Sequence, residues 1–167
     1  MGTKHSDSKA VQEAPPFKIR RAQRQDMARC GEILNGWIDE TPWMPRVHSH
    51  EDVVRYHTDF VFDNRAVLVA ENDGNEVQGF AATSADAVVT GFYLAPEARN
   101  KGIGHQLLSR VKQANPSGLG LWTFVANTGA QRFYEREGFS EQRRTDGDNE
   151  ENLPDILYSW QPEGAAT

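Results

Sequence analysis

A chain of 167 residues with a net charge of −6 and interspersed acids describes one domain long enough to bury a core, and excludes a general nucleic-acid binder. No apolar run approaches the roughly 20 residues of a membrane span, and no hydrophobic leader pattern is visible, so a cytoplasmic protein with no membrane partner is expected. A single cysteine, Cys30, rules out an internal disulfide.

Residues 1–16 are polar, end in Pro15-Pro16, and read as a disordered tail. Gly2 and Ser6 match an N-myristoylation pattern, but one acyl chain anchors weakly and no basic cluster follows it. The folded domain is expected over 17–160, with a short tail over 161–167. It opens with a strand at 17–22. Asp26 then stands where it can cap a helix carrying Met27, Cys30, Ile33, Leu34, Trp37 and Ile38 at helical spacing. Cys30 lies on that apolar stripe and reads as a buried core thiol. The stretch Thr41-Pro-Trp-Met-Pro45 breaks the helix. Ser49 with Asp52 begins a second one, with Val53, Val54, His57, Phe60 and Val61 on one side. Strands follow at 66–71, 77–84 and 87–95, the first two joined by an Asn-Asp-Gly-Asn turn.

The most informative stretch comes next. Residues 92–104 read Phe-Tyr-Leu-Ala-Pro-Glu-Ala-Arg-Asn-Lys-Gly-Ile-Gly: a strand, a tight turn around Gly102 and Gly104, and a helix start. Glycine lets ligand oxygens approach the backbone, and the helix start offers unpaired N–H groups at the positive end of its dipole. Arg99 and Lys101 add two cations, so a pyrophosphate is the expected guest. A dinucleotide fingerprint is excluded because position 107 is Leu, and a P-loop because His105 and Gln106 follow Gly104. The helix continues with Ile103, Leu107, Leu108, Val111 and Ala114 on one face until Asn115-Pro116. A strand follows at 119–126, then a helix with Thr128 and Gln131 at its cap that stops at Gly138. Strands at 139–145 and 156–160 complete the order β-α-α-β-β-β-α-β-α-β-β.

The pattern Arg-x-x-Gly-x-Gly after a strand ending Leu-Ala-Pro resembles the acetyl-CoA motif of the GCN5-related N-acetyltransferase (GNAT) superfamily. The segment Asn127-Thr-Gly-Ala-Gln-Arg-Phe-Tyr134-Glu-Arg-Glu-Gly138-Phe139 resembles the second family signature, in the family order. The resemblance covers about residues 17–160. It implies an α/β fold of the mixed α+β kind: a twisted, mostly antiparallel sheet of about six or seven strands flanked by about four helices. It also implies acetyl-CoA as co-substrate, no metal, and acetyl transfer to a primary amine by direct attack through a tetrahedral intermediate.

By that resemblance, the strand end Phe92-Tyr93-Leu94 pairs with the pantetheine arm, and the pyrophosphate lies against Arg99, Asn100, Lys101, Gly102, Ile103, Gly104 and His105. Asn127 contacts the pantetheine arm, or serves only as a helix cap. Tyr134, two turns further along roughly the same helix face, protonates the departing thiolate. A phenol with a reference pKa near ~10 is protonated at neutral pH and so carries a proton to offer the departing thiolate, whose thiol lies near ~8.5. Some family members carry a glutamate five residues before the asparagine as general base; here that position is Trp122. Glu40, His48, His50, Glu150, Glu151 and Asp155 are all candidates, a water chain would also serve, and no base is singled out. The acceptor pocket is expected from the loop between the first two helices and the C-terminal strands, with Trp37, Glu40, Trp43 and Trp122 as lining residues. Aromatic faces beside carboxylates suit a cationic amine, and the same tryptophans are equally well explained as core. The acceptor, a small molecule or a peptide, is not legible in the sequence, and the oligomeric state, a homodimer included, stays open. An acyl-CoA-sensing domain without turnover is the alternative reading.

Overall fold

The computed structural model describes residues 17–163; the tail expected over 1–16, with the Gly2–Ser6 pattern, and residues 164–167 of the tail expected over 161–167 lie outside the described residues. In chain order the elements are β1 (Lys18–Arg21), α1 (Met27–Glu40), α2 (50–64), β2 (Ala66–Glu71), β3 (Val77–Thr83), β4 (Val88–Leu94), α3 (Ile103–Ala114), β5 (Leu119–Phe124), α4 (Thr128–Arg136), β6 (Ser140–Thr145) and β7 (Asp155–Trp160). The strands form one seven-stranded sheet in the order β1-β2-β3-β4-β5-β7-β6. Every neighbouring pair is antiparallel except β4 and β5. This is the mixed α/β class expected, with four helical segments around the sheet.

Helix starts show how local chemistry sets the frame. Ser49 caps α2, its hydroxyl accepting from the Asp52 N–H at 3.1 Å. Asp26 works one turn earlier than expected. It closes a 3-10 turn over Arg24–Asp26 by accepting from the Gln23 N–H at 2.7 Å, and the α-helix begins behind it. Its carboxylate also takes Arg20 at 2.9 Å, while Arg20 Nε donates to Glu71 at 2.8 Å. The Arg20 bond, joined by that Gln23 amide, holds the Asp26 carboxyl below the usual carboxylate range against the opposing cost of burial. Within α2 the residues His57–Val61 widen into a π turn, a local irregularity frequent at functional sites.

The sheet is covered on both faces. On one side α1 and α2 bring Met27, Cys30, Ile33 and Val61 against Val67, Val69, Phe80 and Ala82. On the other, α3 and α4 bring Leu107, Leu108, Val111 and Tyr134 against Ala81, Val89, Leu121 and Tyr158. β3, sandwiched between the layers, is buried at all seven positions, the polar Gln78 and Thr83 included, so its sequence shows no polar–apolar alternation. Cys30 is fully buried, and burial pushes its thiol up to about 12. The outer strands differ in kind. β6 has no buried residue and carries Arg143 and Arg144; β1 is four residues long and carries Lys18, Arg20 and Arg21.

Candidate active site

The parallel pair β4 and β5 holds together only at its start, where Val88 faces Gly120 and Val89 faces Leu121. Beyond that point the strands part, and β4 keeps only its antiparallel partner β3. The backbone of residues 90–94 is therefore left with one side free along a cleft of about 310 Å³. Phe92, Tyr93, Leu94, Arg99 and Gly104 line one side of it, and Trp122, Phe124, Asn127, Phe133 and Tyr134 the other.

At one end lies the glycine turn. Asn100 (φ 60°) and Gly102 (φ 80°) both adopt the left-handed conformation, open to Asn and Gly at least cost. Ile103 is buried against Phe17, Ala70 and Ala98, which anchors the turn from below. Lys101, Gly102 and His105 stay exposed. Arg99 N–H bonds Pro96, and Gln106 N–H returns to Gly102. The amides between them stand at the turn and the helix start, where the dipole is positive. Gly104 is tightly flanked: a β-carbon there would sit 3.4 Å from the Phe133 ring.

Two side chains of this turn have protein partners that the sequence does not announce. Arg99 Nε donates to the Leu94 carbonyl at 3.0 Å, and its Nη1 pairs with Glu40 at 2.6 Å. The guanidinium thus ties the end of β4 to the last residue of α1. Glu40, expected in the acceptor pocket, is held at that position. His105 Nδ1 pairs with the nearly buried Glu137 carboxylate at 2.9 Å, so its side chain leans onto the end of α4.

Asn127 caps α4. Its side-chain oxygen accepts from the Ala130 N–H at 3.0 Å, a role the sequence left open to it and also offered to Thr128. Gln131, expected to complete that cap, instead donates to the Phe124 and Val125 carbonyls at 3.2 and 2.7 Å. These bonds fix the start of α4 where β5 leaves the sheet, and leave the rest of the Asn127 amide on the cleft wall. The Tyr134 ring is buried among Phe133, Phe139 and Phe92, at centroid distances of 5.1, 5.6 and 6.2 Å. Its hydroxyl bonds no described residue, yet it keeps access to the cleft. Burial raises its pKa well above the tyrosine norm, so the phenol keeps its proton.

Behind the β4–β5 opening a second cavity of about 830 Å³ meets the first across Thr90, Gly91, Tyr93, Trp122 and Phe124. Burial, with the nearby Glu151 charge, pushes the Tyr93 phenol up to about 12 at this junction. Trp122 lines both spaces, with Arg143 over its ring at 5.0 Å. Trp37 lines the cleft and packs on Tyr93 at 5.4 Å. Trp43 lines neither; it wedges between Trp37 and Phe124 at 5.8 and 5.9 Å. Of the candidate bases, Glu40 is paired with Arg99, His50 with Asp39 at 2.8 Å, and Asp155 with Thr145 and Asn149. His48 and Glu150 pair at 3.2 Å and line the second cavity with Glu151. Sequence reasoning missed Asn35 and Arg46. The buried Asn35 donates to the His50 carbonyl at 3.1 Å and accepts from Arg46 at 2.9 Å, locking the loop between α1 and α2. Among the described residues no three His, Cys, Asp or Glu side chains gather to hold a metal. None of their helices is long and apolar enough to cross a membrane.

The family model of the acetyltransferase (GNAT) domain matches residues 63–141, from the end of α2 to the start of β6. Peptidyl-lysine N-acetyltransferase YiaC of Escherichia coli K12 is 30% identical over 145 residues, covering 85% of this chain and 95% of that protein. The chain belongs to the GNAT family of acetyltransferases. In fold it is similar to apo-form YjaB of Escherichia coli, with a TM-score of 0.71 and 20% identity over 86% of this chain and 97% of that one. It is also similar to yncA of Salmonella typhimurium, a putative acetyltransferase solved with its cofactor acetyl-CoA, with a TM-score of 0.68 and 22% identity over 90% and 97%.

Proposed function

We propose that the cleft between β4 and β5 binds acetyl-CoA and that the chain transfers the acetyl group to a lysine side chain of a peptide or protein. The observation that carries the reading is one continuous groove. It runs from Arg99 and Gly104 of the glycine turn, along the free side of residues 90–94, to Tyr134. Acetyl-CoA has a matching series of parts: a pyrophosphate for the amides of residues 100–105, pantetheine amides for Phe92, Tyr93 and Leu94, and a thioester beside Tyr134. Lysine is supported by the relative named as a peptidyl-lysine N-acetyltransferase.

The chain's residues divide the work. Asn100, Gly102 and Gly104 shape the turn, Ile103 anchors it, and Lys101 supplies the cation left exposed there. Arg99 acts chiefly by holding the Leu94 carbonyl and Glu40, which fixes the strand end that the pantetheine arm pairs with. Asn127 offers the rest of its amide to that arm. The neutral amine nitrogen attacks the thioester carbon and the carbon–sulfur bond breaks. The nitrogen gives up a proton to solvent, and Tyr134 donates its own to the leaving sulfur and is reprotonated afterwards. Backbone amides aimed at the developing oxyanion lower the barrier. Tyr134 fits its part by position: its hydroxyl opens on the cleft and is tied to no described residue.

Thiol release from acetyl-CoA in the presence of lysine peptides, with the acetyl group located by mass spectrometry, tests the reading. Acetylated lysine supports it. Acetyl-CoA binding without turnover on any peptide overturns it in favour of a sensing domain.

A further inference from the structure

Four large apolar side chains are exposed among the described residues, Val47, Tyr56, Phe60 and Trp122, and all four stand around the second cavity. Scattered singly they would need no explanation; gathered on one opening they mark a binding surface. Tyr56 and Phe60 stack at 5.1 Å with their planes 17° apart. They project from the helix that carries the π turn.

The cavity carries more negative than positive groups. Four carboxylates face it, Asp52, Asp59, Glu150 and Glu151, against the guanidiniums of Arg55 and Arg65 and the imidazoles of His48 and His57. Asp52 holds Arg55 at 2.6 Å, and Arg65 lies over the Phe60 ring at 5.1 Å. His57 is buried and bonded to the Val53 carbonyl, and burial lowers its pKa, so it adds no positive charge near neutral pH. Glu151 has no ion pair among the described residues, and its charge is felt at the Tyr93 hydroxyl, where the cavity meets the cleft. A cation that enters is drawn toward the reacting end. The space of about 830 Å³ also exceeds what the four-carbon stem of one lysine fills.

We propose that this cavity selects, among peptide lysines, those with an aromatic residue beside them. Glu151 draws the ammonium toward the cleft, and Tyr56, Phe60, Val47 and Trp122 receive the aromatic neighbour. The inference rests on the lysine reading above and adds the sequence context of the acceptor. Aromatic pairs contribute beyond their buried area, so the preference is large enough to measure.

The test compares kcat/KM on peptides that keep one lysine and vary its neighbour among Phe, Ser and Glu. The unaltered enzyme favours the Phe peptide over the Ser peptide about tenfold or more and acts least on the Glu peptide. In the double variant Tyr56→Ser/Phe60→Ser the Phe-over-Ser ratio falls below about threefold. In Glu151→Gln that ratio persists, while KM for every lysine peptide rises and its dependence on salt weakens. Equal kcat/KM for the Phe and Ser peptides overturns the inference and leaves lysine acetylation standing. So does a ratio unchanged in the double variant. Failure to acetylate any peptide, with acetyl-CoA bound, removes the lysine reading and this inference with it. The comparison on the unaltered enzyme needs no variant to fold.

Discussion

Replacing Tyr134 by Phe removes a single oxygen and separates chemistry from packing. The ring contacts with Phe133, Phe139 and Phe92 are kept. The hydroxyl bonds no described residue, so its loss strands no partner, and unfolding free energy should change by less than about 0.5 kcal/mol. The rate should change far more. Loss of a positioned general acid lowers kcat by roughly 10² to 10⁴, or about 2.7 to 5.4 kcal/mol of barrier. The KM for acetyl-CoA should move little, since ground-state contacts remain. Steady-state thiol release reads the effect, and an acyl donor with a more acidic leaving thiol should recover part of the loss. Because the native pKa is raised above the tyrosine norm, the folded protein holds this proton more tightly than the unfolded chain does. That stability is present below the reference value of about 10 and is lost as pH rises through the native pKa. Tyr134 therefore contributes no alkaline fall in rate below pH ~9. A kcat equal to that of the unaltered enzyme, with thiol release shown to be rate-limiting, removes Tyr134 from the chemistry.

Three further outcomes are expected. Gly104→Val should keep the fold but weaken acetyl-CoA binding about tenfold or more, about 1.4 kcal/mol. Its β-carbon already meets the Phe133 ring at 3.4 Å, so its methyl groups have only the cleft to fill; calorimetric titration checks this, and unchanged affinity refutes the phosphate cradle. Asp26→Asn should lower stability by about 2 kcal/mol at pH 7, since the buried carboxylate is held low by Arg20. The stability that Asp26 contributes is present above the unfolded pKa of about 4 and lost as pH falls through the native value, so acid melts of the variant should be flatter below pH ~5. Cys30, fully buried with its thiol near 12, should resist thiol reagents in the native state and react at the rate of unfolding; fast labelling of native protein contradicts its placement.

How much of this was legible in the sequence follows from the range of each interaction. The glycine turn, the Ser49 cap and the β2 strand at 66–71 were readable because neighbours within a few residues determine them. Gly102 needs its left-handed φ whatever the rest of the chain does. The Arg99–Glu40 pair, the His105–Glu137 pair and the Asn35–Arg46 lock join residues from 11 to 59 positions apart, and no local pattern announces them. The sequence offered both Asn127 and Thr128 as the cap of α4, one residue of helix boundary apart, where sequence patterns are least sharp. The second cavity was invisible for a further reason. Val53, Phe60 and Val61 belong to one apolar pattern, but the π turn rotates Phe60 toward solvent while Val61 stays in the core.

The two outermost strands bear on the protein at high concentration. A sheet that ends in an open strand offers unpaired amides and carbonyls to any passing chain, and long, flat, apolar ends recruit one another into aggregates. Here one end presents Ser-Glu-Gln-Arg-Arg-Thr and the other only Lys-Ile-Arg-Arg. Both ends carry arginines, and registers of strand addition that set those arginines directly opposite one another are disfavoured by like-charge repulsion. A short end and a charged one thus work against growth of the sheet by strand addition, the hazard that a longer apolar end would carry.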